Sequence, residues 1–198
     1  MMRRLRLDRS GASAVEFALV LPLLLLLLFG IIDAGRFLWE INKAEKATQA
    51  GARVAVVTDP LPPGLAAANY VGVGGLTQGD LIPTSALGLV TCTNTACTCT
   101  TSPCPTLGTF NSAAFSTIFT RMRNMKRDIA ASNVQITYRG SGLGYAGDPN
   151  GMEIAPLVTV QLTGLQFRPA VGLMLRSVTL PDFRTTLTAE DSAGTVSN

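Results

Sequence analysis

The stretch from Gly11 to Ile32, GASAVEFALVLPLLLLLLFGII, limits the possible fold more than any other part of the chain. From Phe17 to Ile32 it carries no charged or strongly polar side chain. With Ala12 to Val15 in front, the apolar run is about 20 residues, the length an α-helix needs to cross ~30 Å of hydrocarbon. Backbone polar groups in lipid must be satisfied internally, which a single segment achieves only as a helix. The run predicts one membrane-crossing helix, with the residues before it in one compartment and those after it in another.

Charge placement sets the expected orientation. Met1 to Gly11 holds Arg3, Arg4, Arg6 and Arg9 against Asp8, a net +3, and the other 187 residues hold 12 basic and 12 acidic side chains. Arginines directly before an apolar run stay in the cytoplasm, so everything after about Arg36 is expected to be exported. The neutral remainder offers no basic domain to grip nucleic acid. Outside the membrane segment and its flanks roughly 140 residues are left, enough for one domain with a modest core.

The cysteines agree with export. Cys92, Cys97, Cys99 and Cys104 lie within 13 residues of Thr/Pro-rich chain, and an even count in an oxidising compartment points to two disulfides. Three pairings are open, although Cys97–Cys99 would close a very tight ring. Zinc is the rival ligand, but Cys-x4-Cys-x-Cys-x4-Cys is not a common finger spacing.

The leader MMRRLRLDRSG is short, basic and ends in glycine. A secretory signal places its cleavage site after the hydrophobic region, yet DAGRFLWEINKAEK follows Ile32 with no convincing Ala-x-Ala site. The helix is expected to be retained, and any cut to fall on its cytoplasmic side. Glu16 is then the most informative residue, because a carboxylate deep in a membrane costs on the order of 2–3 kcal/mol. Either it sits in the headgroup zone with no function, or it pairs with a positive group, such as the α-amino group of a neighbouring chain.

Gly11-Ala-Ser-Ala-Val-Glu16-Phe17, with a basic leader before it and an apolar helix behind, resembles the type IV prepilin pattern. That resemblance implies a prepilin peptidase cutting after Gly11, a new N-terminus at Ala12, and Glu16 neutralising a neighbour's amino terminus during assembly. The wider stretch narrows the family. Arg9-Ser-Gly-Ala-Ser-Ala-Val-Glu-Phe-Ala-Leu-Val-Leu-Pro22, then Gly30-Ile-Ile-Asp-Ala-Gly-Arg36 and Ala50-Gly-Ala-Arg53, is similar to the TadE-like proteins of tight-adherence (Flp-type) pilus systems. The similarity covers residues 8–57 and is looser beyond. It implies a pseudopilin or minor pilin that helps to build the pilus; TadG-like relatives share the N-terminus but continue into a much larger exported domain. Many pilins also carry a proline in this helix, so Pro22 supports the likeness, while a harmless kink explains it equally well.

Beyond Ile32 the helix is expected to continue. Phe37, Leu38, Ile41, Ala44, Ala52 and Val56 fall close to one face, and Glu40, Lys43, Lys46 and Gln49 are polar. Arg36 and Trp39 suit the outer membrane–water interface. A helix over 12–56 would be ~68 Å long, ending at Asp59-Pro-Leu-Pro-Pro-Gly64. Its outer half would lay an alanine-rich face on the exported domain, although a plain spacer needs no such face. From there to Thr109 the chain is expected to be a long excursion with short strands or turns, pinned by disulfides. Asn111 or Ser112 can cap a second helix, with Phe115, Ile118, Phe119, Met122, Met125 and Ile129 at helical spacing and Arg121, Arg123, Lys126 and Arg127 on the wetter side. That cationic side is expected to be a solvated face rather than a site for anionic lipid or an acidic partner. Alternation predicts strands at 134–139 and 158–163 and another near 183–189, the first two joined through Gly140–Gly151.

The chain has no histidine, which removes Ser-His-Asp and Cys-His catalysis and the usual metal sites. Gly72-x-Gly74-Gly75 lacks the lysine and following helix of a phosphate loop. Asp148 and Glu153 flank a turn with no apolar run to raise a carboxyl pKa. The expected architecture is α+β and pilin-like: a long N-terminal transmembrane helix leading into a small exported domain with an antiparallel sheet and a packed helix. Its parts are a basic leader (1–11), a transmembrane and stalk helix (12–57), a loop-rich cysteine segment (58–110), a helix plus sheet (111–190) and a polar tail (191–198). The expected partners are membrane lipid, a prepilin peptidase and other pilus assembly proteins and pilins. No nucleic acid, small-molecule substrate, cofactor, metal or catalytic residue is expected. The alternative is an uncleaved single-pass anchor carrying a binding domain.

Overall fold

The computed structural model describes residues 11–149, 151–170 and 177–189. Arg3, Arg4, Arg6 and Arg9 of the leader, and the polar tail, lie outside the described residues. The first element, α1, is a single helix from Ala12 to Ala55 that Pro22 does not interrupt. It stops just before the proline cluster, whose rings supply no N–H donors. The described chain forms two compact units: one holds α1 up to Glu40 with residues 166–178, the other runs from Ile41 to Leu165 and resumes at Thr179.

The larger unit is an antiparallel sheet covered on one face by helices. After a short helix α2 (Pro63–Ala66) come strands β1 (Leu89–Cys92) and β2 (Cys97–Thr101), helix α3 (Ser112–Met125), and strands β3 (Val134–Arg139) and β4 (Leu157–Leu162). Two short strands follow, β5 (Gln166–Phe167) and β6 (Val178–Thr179), and then β7 (Phe183–Thr188). Five of them form one sheet in the order β2-β1-β3-β4-β7, every neighbouring pair antiparallel. The predicted α+β architecture is what the chain adopts, and the three strands foreseen from alternation are β3, β4 and β7. The cysteine excursion contains two of the short strands expected there, and they join the main sheet: β1 pairs with β3 and carries β2 on its other side.

Period-2 alternation gives the sheet two different faces. Val90, Ile136, Tyr138, Val158, Val160 and Leu162 turn inward and are buried. On the other face Thr98, Thr91, Thr137, Thr159 and Thr186 stand opposite one another in turn, a row across all five strands. β-Branched side chains fit such a pleated, half-exposed surface, and Thr159 and Thr186 join hydroxyls at 2.7 Å.

Against the inner face lies the outer half of α1, through Ala44, Ala47, Thr48, Gly51, Ala52 and Ala55. The spacing repeats as three and one, a single stripe on a 3.6-residue helix. Small side chains let the helix approach closely: a Cβ on Gly51 would stand 2.7 Å from Met122 Cγ and 3.2 Å from Val160 Cγ1. Thr48 is buried but satisfied, donating to the Glu45 carbonyl at 2.8 Å and lying 3.0 Å from Thr185 Oγ1. Leu38 departs from the expected face and is exposed. It stands 100° around the helix from Phe37, so one narrow stripe cannot take both.

In α3, Asn111 is the N-cap and accepts from the Ala114 N–H at 3.0 Å. Phe115, Ile118 and Met122 are buried as expected, whereas Met125 is exposed. Lys126 is a correction: it is buried rather than on the wet side, and its Nζ meets Asp128 at 2.9 Å. The helix has ended by then, and Lys126 adopts an extended conformation, so helical spacing no longer says where its side chain goes. Ile129, also past the helix, is buried.

The β3–β4 connection is tied down by residues 79–82, through Ile82 N–H to the Gly144 carbonyl and Ala146 N–H to the Asp80 carbonyl. Gly144 has φ of +110°, and a Cβ there would run into the backbone of Glu153 and Ile154.

Candidate functional site

Among the described residues nothing covers the N-terminal half of α1. Val15, Phe17, Leu19, Leu23 and Leu27 are exposed, Leu19 by 74%. This is the one helix among the described residues long and apolar enough to cross a membrane, with a mean hydropathy of 2.8 over its most apolar window, none of which is buried. Hydrocarbon is the medium in which such a surface is stable.

Gly11 opens the helix, and a Cβ there would meet nothing within 4 Å. Among the described residues no packing demand therefore explains a glycine at that position. Glu16 and Phe17 are exposed on the first turns. Glu16 lies four residues after Ala12, on the same helical face and ~6 Å further along the axis. No hydrogen bond or ion pair of the described chain holds the Glu16 carboxylate.

At the far end of the apolar run stands a cluster that periodicity does not reveal. Asp33 Oδ1 accepts from Arg36 at 2.9 Å and from the Ala170 backbone N–H at 2.8 Å. Arg36 lies over the Phe167 ring, 5.6 Å from its centroid, and Phe37 meets the same ring edge-on at 5.4 Å. β5 and β6 pair with each other to form a two-stranded ribbon, and residues 166–170, 177 and 178 group with the first part of α1 rather than with the five-stranded sheet. The only trace of this in the sequence is a charged pair, Asp33 and Arg36, three residues apart immediately after sixteen uncharged positions.

The cysteines pair as Cys92–Cys97 and Cys99–Cys104. The first bridge joins residues that face each other across β1 and β2, and the second ties the edge strand β2 to the loop beyond it. No thiolate is left for zinc.

A cleft of about 540 Å³ beside Ala67, Tyr70, Pro103 and Thr106 is lined mainly by small and apolar residues. Burial, and then the nearby Glu153 carboxylate, push the Tyr70 hydroxyl up to about 12. Glu153 accepts the Tyr70 N–H at 2.8 Å, and the Tyr70 hydroxyl has no hydrogen-bond partner among the described residues. Burial also raises the Tyr138 pKa, although its hydroxyl oxygen accepts the Leu61 N–H at 3.1 Å. At the surface, donation from the Thr77 hydroxyl and then its backbone N–H holds Asp80 below the ordinary carboxylate value.

With this geometry in place, the comparison with known families bears on one part of the chain. Residues 11–53 match the family model for TadE-like protein. The match begins at the glycine before α1 and ends two residues before the helix does, so the TadE-like segment is in effect the long helix itself. No curated protein and no solved structure matches the chain. The five-stranded body lies outside the TadE-like segment.

Proposed function

We propose that the protein is a pseudopilin of a tight-adherence (Flp-type) pilus system, acting in assembly rather than in catalysis. The observation that carries this reading is the TadE-like match beginning at Gly11, where Gly-x4-Glu-Phe opens an uncovered apolar helix. The protein is anchored in the cytoplasmic membrane by α1. Arg3, Arg4, Arg6 and Arg9 remain on the cytoplasmic side, and the disulfide-bearing body is exported to the periplasm or beyond it.

Prepilin peptidase hydrolyses the Gly11–Ala12 peptide bond. The carboxylate stays on the leader and the α-amino group on Ala12. That ammonium, once drawn beside a neighbouring helix in the bilayer, is costly without a counter-charge. Glu16 of the adjacent subunit supplies one, and the match of charges sets the axial offset between neighbours. Membrane lipid, the peptidase and other pilus assembly proteins and pilins are the partners.

The test is the N-terminal mass of protein extracted from membranes. A chain beginning at Ala12 supports the proposal, and one beginning at Met1 or Met2 replaces it with an uncleaved anchor bearing a binding domain. Glu16→Ala is expected to insert normally yet fail to support assembly; intact pili in that variant would remove the glutamate's role.

A further inference from the structure

α1 leaves its apolar run at Asp33, and at that level the chain returns to it. Phe167 stacks edge-on against Phe37, while Ala170, three residues later, bonds to Asp33. Residues 33 and 37 are about one turn apart, ~6 Å along the axis. Phe167 thus meets α1 at the level of residues 36 and 37, and Ala170 meets it at Asp33, where the apolar run ends. Gly11 to Ile32, 22 residues, span ~33 Å as a helix, close to the hydrocarbon thickness, which places Asp33 at the lipid boundary.

We propose that the β5–β6 ribbon is a second membrane contact. Phe167 and Ala170 are held on α1 by Asp33, Arg36 and Phe37, and residues 167–170, with Val178 on the strand paired to β5, rest in the interfacial zone of the leaflet from which the helix emerges. The proposal depends on α1 crossing the bilayer. Its chemistry suits that depth: Arg168 is exposed and Arg36 half-exposed, so both guanidinium groups can reach phosphates from the interfacial zone, while the Phe167 ring is buried and fastens the segment to the helix. Pro169 and Ala170 add no polar side chain, and Val178 is exposed. The occupant is lipid rather than a protein groove, because the anchoring contacts sit at the level where the helix passes from hydrocarbon to charge.

Trp39 is the chain's single tryptophan, so fluorescence can test this in the full-length protein. The protein is reconstituted in phosphatidylcholine vesicles, with and without bromine on the acyl carbons near the headgroup. The native Trp39 reports on the helix, and Trp39→Phe combined with Ala170→Trp reports on the ribbon. A fractional loss at position 170 at least as large as that at Trp39, which lies ~9 Å further out along the helix, is expected. Adding Asp33→Ala should reduce the loss at position 170 while leaving that at Trp39 unchanged, because only the clasp is released. Quenching of Trp39 alone, with none from Ala170→Trp or from Val178→Trp in the same background, overturns the second contact and leaves the membrane helix standing. Quenching at neither place overturns both.

Discussion

The two halves of α1 are opposite answers to the same packing problem. From Val15 to Ile32 the helix carries large aliphatic side chains and buries none of them, whereas from Ala44 to Ala55 it carries alanine, glycine and threonine and buries a continuous stripe. Bulk is useful where lipid supplies the surroundings and shape is unconstrained. Next to a sheet, close approach matters more than side-chain area, since a protein interior tolerates neither voids nor excess volume. A hydropathy profile registers the first half strongly and the second hardly at all.

This contrast is sharpest under truncation. Ile136→Ala, in the fully buried centre of β3, is expected to lower the unfolding free energy of the sheet-bearing body by about 2–5 kcal/mol, measured by denaturant titration in detergent. Leu25→Ala, in the exposed apolar half, should leave that transition unchanged. An equal loss from both would break the distinction between the halves.

Overpacking probes the same boundary from the other side. Gly51→Val would drive a branched side chain into Met122 and Val160, with an expected cost of about 1–3 kcal/mol. The corresponding change at Gly30, whose Cβ position is open, should be silent in the same titration.

Alkali addresses only the folded body, where both shifted tyrosines lie. Tyr70 and Tyr138 have folded pKa values above the ordinary 10.0. Below pH 10 both are protonated in the folded and unfolded states alike, and their contribution is fully present. Above pH 10 the unfolded chain releases protons that the folded one keeps, so stability falls by about 1.4 kcal/mol per pH unit for each tyrosine. For Tyr70 the decline ends near pH 12. Thermal midpoints of Tyr138→Phe between pH 9 and 12 should decline less steeply than wild type.

The smallest expected effect is Tyr70→Phe. It removes a hydroxyl buried without a partner, a group whose desolvation costs about 1–3 kcal/mol. The variant should equal or slightly exceed the wild type in stability, and a clear loss would reveal a hydrogen bond to that oxygen.

Much of this was legible without coordinates because it is local. An apolar run of membrane length, a basic leader, strand alternation at Val134–Arg139 and Val158–Thr163, and an asparagine cap before a 3.6-residue stripe are each set by neighbours a few positions away. The Gly11–Glu16–Phe17 motif belongs to the same class, and the TadE-like match falls on it. Tertiary structure decided what depends on distant partners. It chose Cys92–Cys97 and Cys99–Cys104 from three pairings, placed β1 beside β3 some 45 positions away, and drew Lys126 inward once its helix had ended. It also brought Phe167 and Ala170 to Asp33 and Arg36, more than 130 residues earlier. A side chain's period records which way it points along its own element. Which surface comes to meet it depends on how the whole chain closes, and no short window of sequence contains that information.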